Sequence, residues 1–392
     1  MPGERRVAMV PSVVARLLRG GHAVIVEAGA GEKARFADDA YRSGGAEVVD
    51  NFADAGADLV AKVQPPTGPE VRALPEGSAL LSFLSPLGAP EVVRALANRR
   101  VAALSLDLVP RISRAQGMDA LSSQASVSGY RAALVAAERL ARFFPMLMTA
   151  AGSIPPAKVL VLGAGVAGLQ AIATARRLGA VVRAYDVRRA AGEEVRSLGA
   201  TFVELALESQ EGAGGYARAQ SEEFLSRQRE LIAAEVASAD VVITTAAVPG
   251  RRAPVLVDAS MLGAMAAGSV VVDLAAESGG NCELSVAGQE LDVGGVIVYG
   301  AQHLPSTLAT HASFLYARNV AEVVALVGRG GQLALDFSDE IIDAICLTHA
   351  GEVRHGATAE LLGLASVPVG SQPPSTPAPS PPAPSPREGG VL

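Results

Sequence analysis

Residues 159–186, VLVLGAGVAGLQAIATARRLGAVVRAYD, decide the fold, because they read in order as strand, glycine turn, helix, strand and terminal carboxylate. Val159, Leu160, Val161 and Leu162 form a β-prone run that enters Gly163-Ala164-Gly165-Val166-Ala167-Gly168, and an Ala/Leu-rich helix follows as far as Gly179. A second strand over 180–185 ends at Asp186. In such a unit the first glycine permits a tight turn, the second lets the backbone approach a pyrophosphate, and the third lets the helix pack against the strand. Val166 and Ala167 open the helix, whose free N–H groups and positive dipole end suit phosphate. Asp186 stands 23 residues after Gly163, where a carboxylate accepts hydrogen bonds from the adenosine ribose hydroxyls.

The whole unit therefore predicts a bound nicotinamide dinucleotide. Asp186 would repel a 2′-phosphate, which favours NAD(H) over NADP(H) on this chain. Arg188 and Arg189 pull the other way, since a nearby Arg accommodates that phosphate; with the acid present, they are read as solvated residues at the start of the next helix. Val187 and Arg188 beyond the second strand, and Thr245 and Ala246 beyond a later one, complete the expected cofactor-binding set.

Composition bounds the remainder. With 392 residues the chain is long enough for two domains, each burying its own core. An apolar share of 49% with only 4% aromatics and no Trp suits an Ala/Val/Leu-rich α/β protein, and a net charge of −7 argues against nucleic acid as a partner. Cys282 and Cys346 show neither metal-ligand spacing nor a disulfide framework, and the five His residues form no cluster, so no metal site is expected and a reducing, cytosolic setting fits. The N-terminus lacks a signal-peptide core, and no window of about 20 residues is free of charge and breakers.

Short apolar runs alternate with helical patterns from the start, the signature of a parallel sheet with helices on both faces. Strands are expected over 23–27, 58–63, 79–84 and 101–107, then a long helix over 122–144, then strands over 159–162, 181–186, 201–205, 240–245, 269–274 and 295–299. A helix over 313–327 precedes a segment, 333–355, that should return to the first domain. The fold class is thus α/β, with two Rossmann-like doubly wound parallel-sheet domains joined by long helices. The expected division is 1–122 with 306–365 as a discontinuous first domain, 123–305 as the dinucleotide-binding domain, and 366–392 as a disordered tail. Nine of the 24 prolines fall between Pro368 and Pro386, a composition for an extended tether. Residues 208–224, ESQEGAGGYARAQSEEF, are too polar and glycine-rich for a core and read as a surface loop with Tyr216 at its tip.

Several stretches resemble the alanine dehydrogenase and pyridine-nucleotide transhydrogenase α-subunit family over nearly all of residues 3–356. The most specific is 111–124, RISRAQGMDALSSQ, which is similar to the transhydrogenase form of that segment; GERRVAMVP (3–11), VPGRRAPVL (248–256), DLAAESGGN (273–281) and LDFSDEIIDA (335–344) also match. The resemblance implies direct hydride transfer between NAD(H) on this chain and NADP(H) on a β subunit, coupled to proton movement in membrane-spanning partners. Those partners would be the second polypeptide of a split α subunit and the β subunit. It also implies a homodimer and a cytoplasmic location, peripheral on the cytoplasmic face of the inner membrane.

By the same resemblance, Gln116 and Ser122 would contact the dihydronicotinamide, Arg111 and Asp119 would form a paired positioning set, and Tyr216 would fold over bound nucleotide. The bland reading is that Asp119 or Ser122 simply caps the long helix, and Tyr216 is an ordinary loop aromatic. Arg6 and Lys62 correspond to substrate-binding residues of alanine dehydrogenases, although an isolated Arg and Lys are more often surface groups. Ser85 stands where those enzymes carry a catalytic histidine, and serine has no accessible pKa for that proton transfer; Glu277 matches a further acid of theirs. Alanine oxidation is therefore the first alternative, and a non-catalytic NAD-binding protein the second. Family members carry a strand ahead of GERRVA; without it two neighbouring strands would lack a partner, and a misplaced start is the expected explanation.

Overall fold

The apolar runs become strands buried on both faces, which is why they show no polar alternation. The computed structural model describes residues 3–204, 222–247, 250–329 and 331–364. The N-terminal region contributes β1 (Ile25–Glu27), β2 (Glu47–Val49), β3 (Leu59–Ala61), β4 (Ala79–Ser82) and β5 (Ala102–Ser105). A hairpin, β6 (Leu147–Thr149) and β7 (Gly152–Ile154), precedes β8 (Lys158–Leu162), β9 (Val181–Tyr185), β10 (Thr201–Phe202), β11 (Val241–Thr244), β12 (Val270–Asp273), β13 (Glu290–Val293) and β14 (Val296–Gly300). Toward the C-terminal end come the short pair β15 (Gly328–Arg329) and β16 (Gln332–Leu333), then β17 (Cys346–His349) and β18 (Glu352–Val353).

Seven strands form one sheet in the order β10-β9-β8-β11-β12-β14-β13, parallel except for the β13–β14 pair. The strand order reverses between β8 and β11, so the loops leaving those two strands open a crevice at their C-terminal ends. Val159 and Val161 of β8 pack into one core with Ala132, Ala133 and Ala136 of the long helix, while Leu160 and Leu162 join Ile232 and Val236 on the opposite face. The alanines matter because small side chains let the helix lie close to the sheet.

The second sheet runs β18-β17-β5-β4-β3, and β17 pairs antiparallel with β5, so the C-terminal segment returns to the N-terminal region as expected. β1 pairs only with β2, in a separate two-stranded sheet. Residues of β1 and β3 line a common cavity of about 600 Å³, each strand leaving one edge without a β partner among the described residues. The gap lies where two neighbouring strands were expected to lack a partner.

The long helix spans Ala120–Arg139, beginning two residues before the expected 122 because Asp119 caps it, and ending at the extended Leu140 short of Pro145. The return helix spans Ala309–Val327 and buries Tyr316, whose hydroxyl donates to the Lys62 carbonyl at 2.6 Å. The expected loop up to residue 221, with Tyr216, and the Pro-rich tail lie outside the described residues; residues 222–224 already belong to a helix, Glu222–Ser238.

Candidate functional site

The glycine turn is built as its chemistry requires. Gly163 has φ +102°, and a Cβ there would lie 2.6 Å from the Thr245 hydroxyl, while a Cβ at Gly168 would lie 1.9 Å from the Gly163 carbonyl oxygen. Neither position has room for any side chain. A Cβ at Gly165 would instead enter open space, with nothing within 4 Å. That space lies at the mouth of the helix Val166–Arg177, whose first N–H groups have no intrahelical acceptor. The cradle therefore fits a pyrophosphate: the outer glycines are fixed by packing, and the middle one leaves its space for a ligand.

Thr245 and Ala246, from the strand across the switch point, meet the turn directly. The Thr245 hydroxyl donates to the Gly163 carbonyl at 3.0 Å. Ala246 is clamped by the buried Asn281, whose Oδ1 accepts from its N–H at 2.9 Å and whose Nδ2 donates to its carbonyl at 2.8 Å. Asp273, also buried, accepts from the Thr244 hydroxyl at 2.8 Å and the Cys282 N–H at 3.0 Å, tying β11 and β12 to the loop that carries Asn281. Sequence reasoning does not single out Asp273 and Asn281 as supports, although both lie in the DLAAESGGN stretch.

Asp186 sits at the end of β9 as expected, 7% exposed, with its Oδ2 accepting from the Ala164 N–H at 2.7 Å. Arg188 corrects the sequence reading. It is not a solvated helix-start residue: its backbone N–H reaches Asp186 at 2.8 Å and its guanidinium nitrogens at 2.9 Å. Burial works to raise the Asp186 carboxyl, yet the hydrogen bonds from Arg188 and Ala164 outweigh it and hold the group below the ordinary carboxylate range. Val187 packs partly buried against the core on the far side of β8, and Arg189 is exposed.

The second group of expected residues lies where the long helix begins. Asp119 is its N-cap, with its carboxylate oxygens accepting from the Ser122 N–H at 2.8 Å and the Ser122 hydroxyl at 2.6 Å. Capping, the bland reading, is thus one role that Asp119 has. Gln116 is exposed on the 3-10 turn Ser113–Met118, and Arg111 is exposed just ahead of it. This group is joined to the glycine turn by a close approach that no local pattern announces: a Cβ at Gly129 of the long helix would lie 2.0 Å from the Ala167 carbonyl. Ser122 is seven residues earlier, so it stands about 10 Å up the helix axis from that contact.

A third cluster holds Arg6 and Lys62, and here too the surface reading fails. The Arg6 side chain is 5% exposed and paired with Glu4 at 2.7 Å, and Lys62 is paired with Glu70. Burial favours a neutral Glu4, but its hydrogen bonds and charge contact with Arg6, helped by Gln64, bring its carboxyl down to about 2. Ser85 lies in a turn with φ +45°, its N–H donating to Asp107 at 3.1 Å. Glu277 accepts from the His303 N–H at 3.1 Å. Both cysteines are inert by environment, since burial pushes Cys282 up to about 11 and Cys346 up to about 12.

Sheet order, glycine turn and terminal carboxylate define a Rossmann-type α/β protein. Family models for the alanine dehydrogenase/PNT N-terminal domain and C-terminal domain match residues 1–128 and 132–356. The chain belongs to the alanine dehydrogenase and pyridine-nucleotide transhydrogenase family. It is 46% identical to the first of the polypeptides that make up the NAD(P) transhydrogenase alpha subunit of Rhodospirillum rubrum, over 91% of this chain and 96% of that one. With the alanine dehydrogenase of Bacillus subtilis the identity is 30%, over 93% of each. Among solved structures, a transhydrogenase from Sinorhizobium meliloti superposes with a TM-score of 0.80 at 43% identity, covering 91% of this chain and 97% of that one.

Proposed function

We propose that this chain is the NAD(H)-binding component of a proton-translocating transhydrogenase. Hydride passes directly between NAD(H) held here and NADP(H) held by a β subunit. Proton movement belongs to the membrane-spanning partners, the second polypeptide of the α subunit and the β subunit; no described helix of this chain is long and apolar enough to cross a membrane. The chain then sits peripherally on the cytoplasmic face of the inner membrane through those partners.

One observation carries the choice between the two activities named among the relatives. The dinucleotide cradle is complete, while the turn that ends β4 carries Ser85, a hydroxyl without an accessible pKa for the proton transfer that amino-acid oxidation needs. Hydride transfer between two nicotinamides needs no general acid or base. It needs donor and acceptor carbons held in apposition in a site closed to stray water. Gln116 and Ser122 hold the nicotinamide end, with Arg111 and Asp119 positioning them; the glycine turn, Asp186 and the Thr245–Ala246 strand end hold the remainder. The axial offset between Ser122 and the glycine turn is about 10 Å, the scale of one nucleoside. Tyr216, outside the described residues, covers the nucleotide once it is bound.

Residues 1–122 with 306–365 form the supporting domain in this reading, and 123–305 the NAD(H) domain. The active form is a homodimer, which fits an exposed apolar hairpin: Met146 is 60% and Met148 77% exposed.

Gln116→Asn tests the reading. In the assembled enzyme it should slow hydride transfer at least about tenfold while changing NADH affinity by less, because shortening the side chain misplaces the ring and leaves the adenosine and pyrophosphate contacts intact. A variant that loses rate and affinity in equal proportion contradicts it.

A further inference from the structure

Gln116 is exposed on a short 3-10 turn, an element with poor hydrogen-bond geometry that holds its shape only when tied from outside. The buried polar tie comes from the return helix. Asn319, 7% exposed, donates through Nδ2 to the Gly117 carbonyl at 2.8 Å and accepts through Oδ1 from the Ser123 hydroxyl at 2.7 Å. Only this orientation of the amide satisfies the carbonyl, since the reverse would set oxygen against oxygen. The return helix also lies close beneath the turn, where a Cβ at Gly117 would come within 3.2 Å of Glu322 Cγ.

Ser123 is itself held in a chain of bonds. The Gln124 amide donates to it at 3.3 Å and to the Ala312 carbonyl at 3.1 Å, and Arg6 donates to Gln124 Oε1 at 2.8 Å. The buried Glu4–Arg6 pair is thereby connected, through Gln124, Ser123 and Asn319, to the peptide directly after Gln116. The other polar anchor of the turn, Arg114 to Asp339 at 2.6 Å, has its Arg half-exposed and so contributes less.

We propose that Asn319 is a positioning residue for hydride transfer: by fixing the Gly117 carbonyl it sets the direction in which Gln116 presents its carboxamide. This rests on Gln116 acting at the nicotinamide. A buried side-chain amide that joins two helices could serve stability alone, but only the Gly117 bond bears on Gln116, and one isosteric change separates the two roles. Asn319→Asp keeps the shape and the acceptor for Ser123 but replaces the donor to Gly117 with a second oxygen.

The test is single-turnover hydride transfer from NADH to NADP⁺ in the assembled enzyme, with NADH affinity and thermal melting measured in parallel. Asn319→Asp should slow transfer about tenfold or more, with NADH affinity within about twofold of wild type. If the buried carboxylate prevents folding, Asn319→Ser, too short to reach Gly117, reads the same bond. Wild-type transfer in a folded Asn319 variant, or equal losses of rate and affinity, overturns the proposal. Gln116→Asn separates the two levels: slow transfer there with normal transfer in Asn319→Asp rejects the positioning role alone, whereas normal transfer in both rejects the reading of Gln116 as well.

Discussion

Arg188 closes on Asp186: its guanidinium nitrogens lie 2.9 Å from the carboxylate that ends β9, and its own N–H lies 2.8 Å from the same group. The acid expected to receive the ribose hydroxyls therefore carries a compensating cation, and nucleotide must share or displace it. Asp186 still places a carboxylate where a 2′-phosphate would sit, so NADH should bind at least about tenfold more tightly than NADPH, or about 1.4 kcal/mol. Asp186→Ser should narrow that gap. Arg188→Ala should widen it, by leaving the carboxylate uncompensated toward the phosphate. Calorimetric titration of the chain with both nucleotides decides, and equal affinities in the wild type sink the assignment.

The three glycines of the turn should fail in different ways. Gly168→Ala forces a Cβ to within 1.9 Å of a backbone oxygen and should lower the melting temperature; Gly129→Ala, at 2.0 Å from the Ala167 carbonyl, should do the same by driving the two helices apart. Gly165→Ala meets open space, so it should fold as the wild type does and lose NADH affinity. Melting curves and NADH titrations side by side give the answer. A Gly165→Ala protein with normal affinity would remove the pyrophosphate from that space.

Much of the fold is legible in the chain because it is written locally. The unit from Val159 to Asp186 carries strand, turn, helix and acid within one stretch, and Asp119 announces a helix start by its residue type. What stays hidden depends on contacts between distant residues. Gly129 reads as an unremarked helical glycine until Ala167 lies beneath it, and Asn319 as one polar residue in an apolar helix until Gly117 and Ser123 meet it. Arg6 and Lys62 read as surface charges because their acids, Glu4 and Glu70, become partners only through folding. β13 escapes the sequence pattern since its alternating partly exposed residues, paired antiparallel at the sheet edge, lack the apolar run that marks the other strands. The resemblance to a family, not spacing, points to Gln116.

The Glu4–Arg6 pair predicts an acid-sensitive element. The Glu4 carboxyl is lowered from 4.5 to about 2 in the folded chain, so its contribution to stability is complete above about pH 4.5 and disappears as the pH falls toward 2. Glu4→Gln should cost about 3–5 kcal/mol near neutrality, since it leaves the Arg6 guanidinium buried beside a neutral partner. It should also flatten the stability profile between those pH values. Urea unfolding across that range measures both, and a variant as stable as the wild type at pH 7 contradicts the pairing.

The central claim, that this chain hands hydride directly to a second nucleotide, is tested most directly with NADH carrying deuterium on C4 in the transferred position. Mixed with the NADP(H)-binding partner and NADP⁺, the chain should deliver that deuterium to NADPH without loss to water, and L-alanine with NAD⁺ should yield no NADH. Deuterium lost to solvent, no labelled NADPH, or alanine-dependent NADH formation would contradict the account.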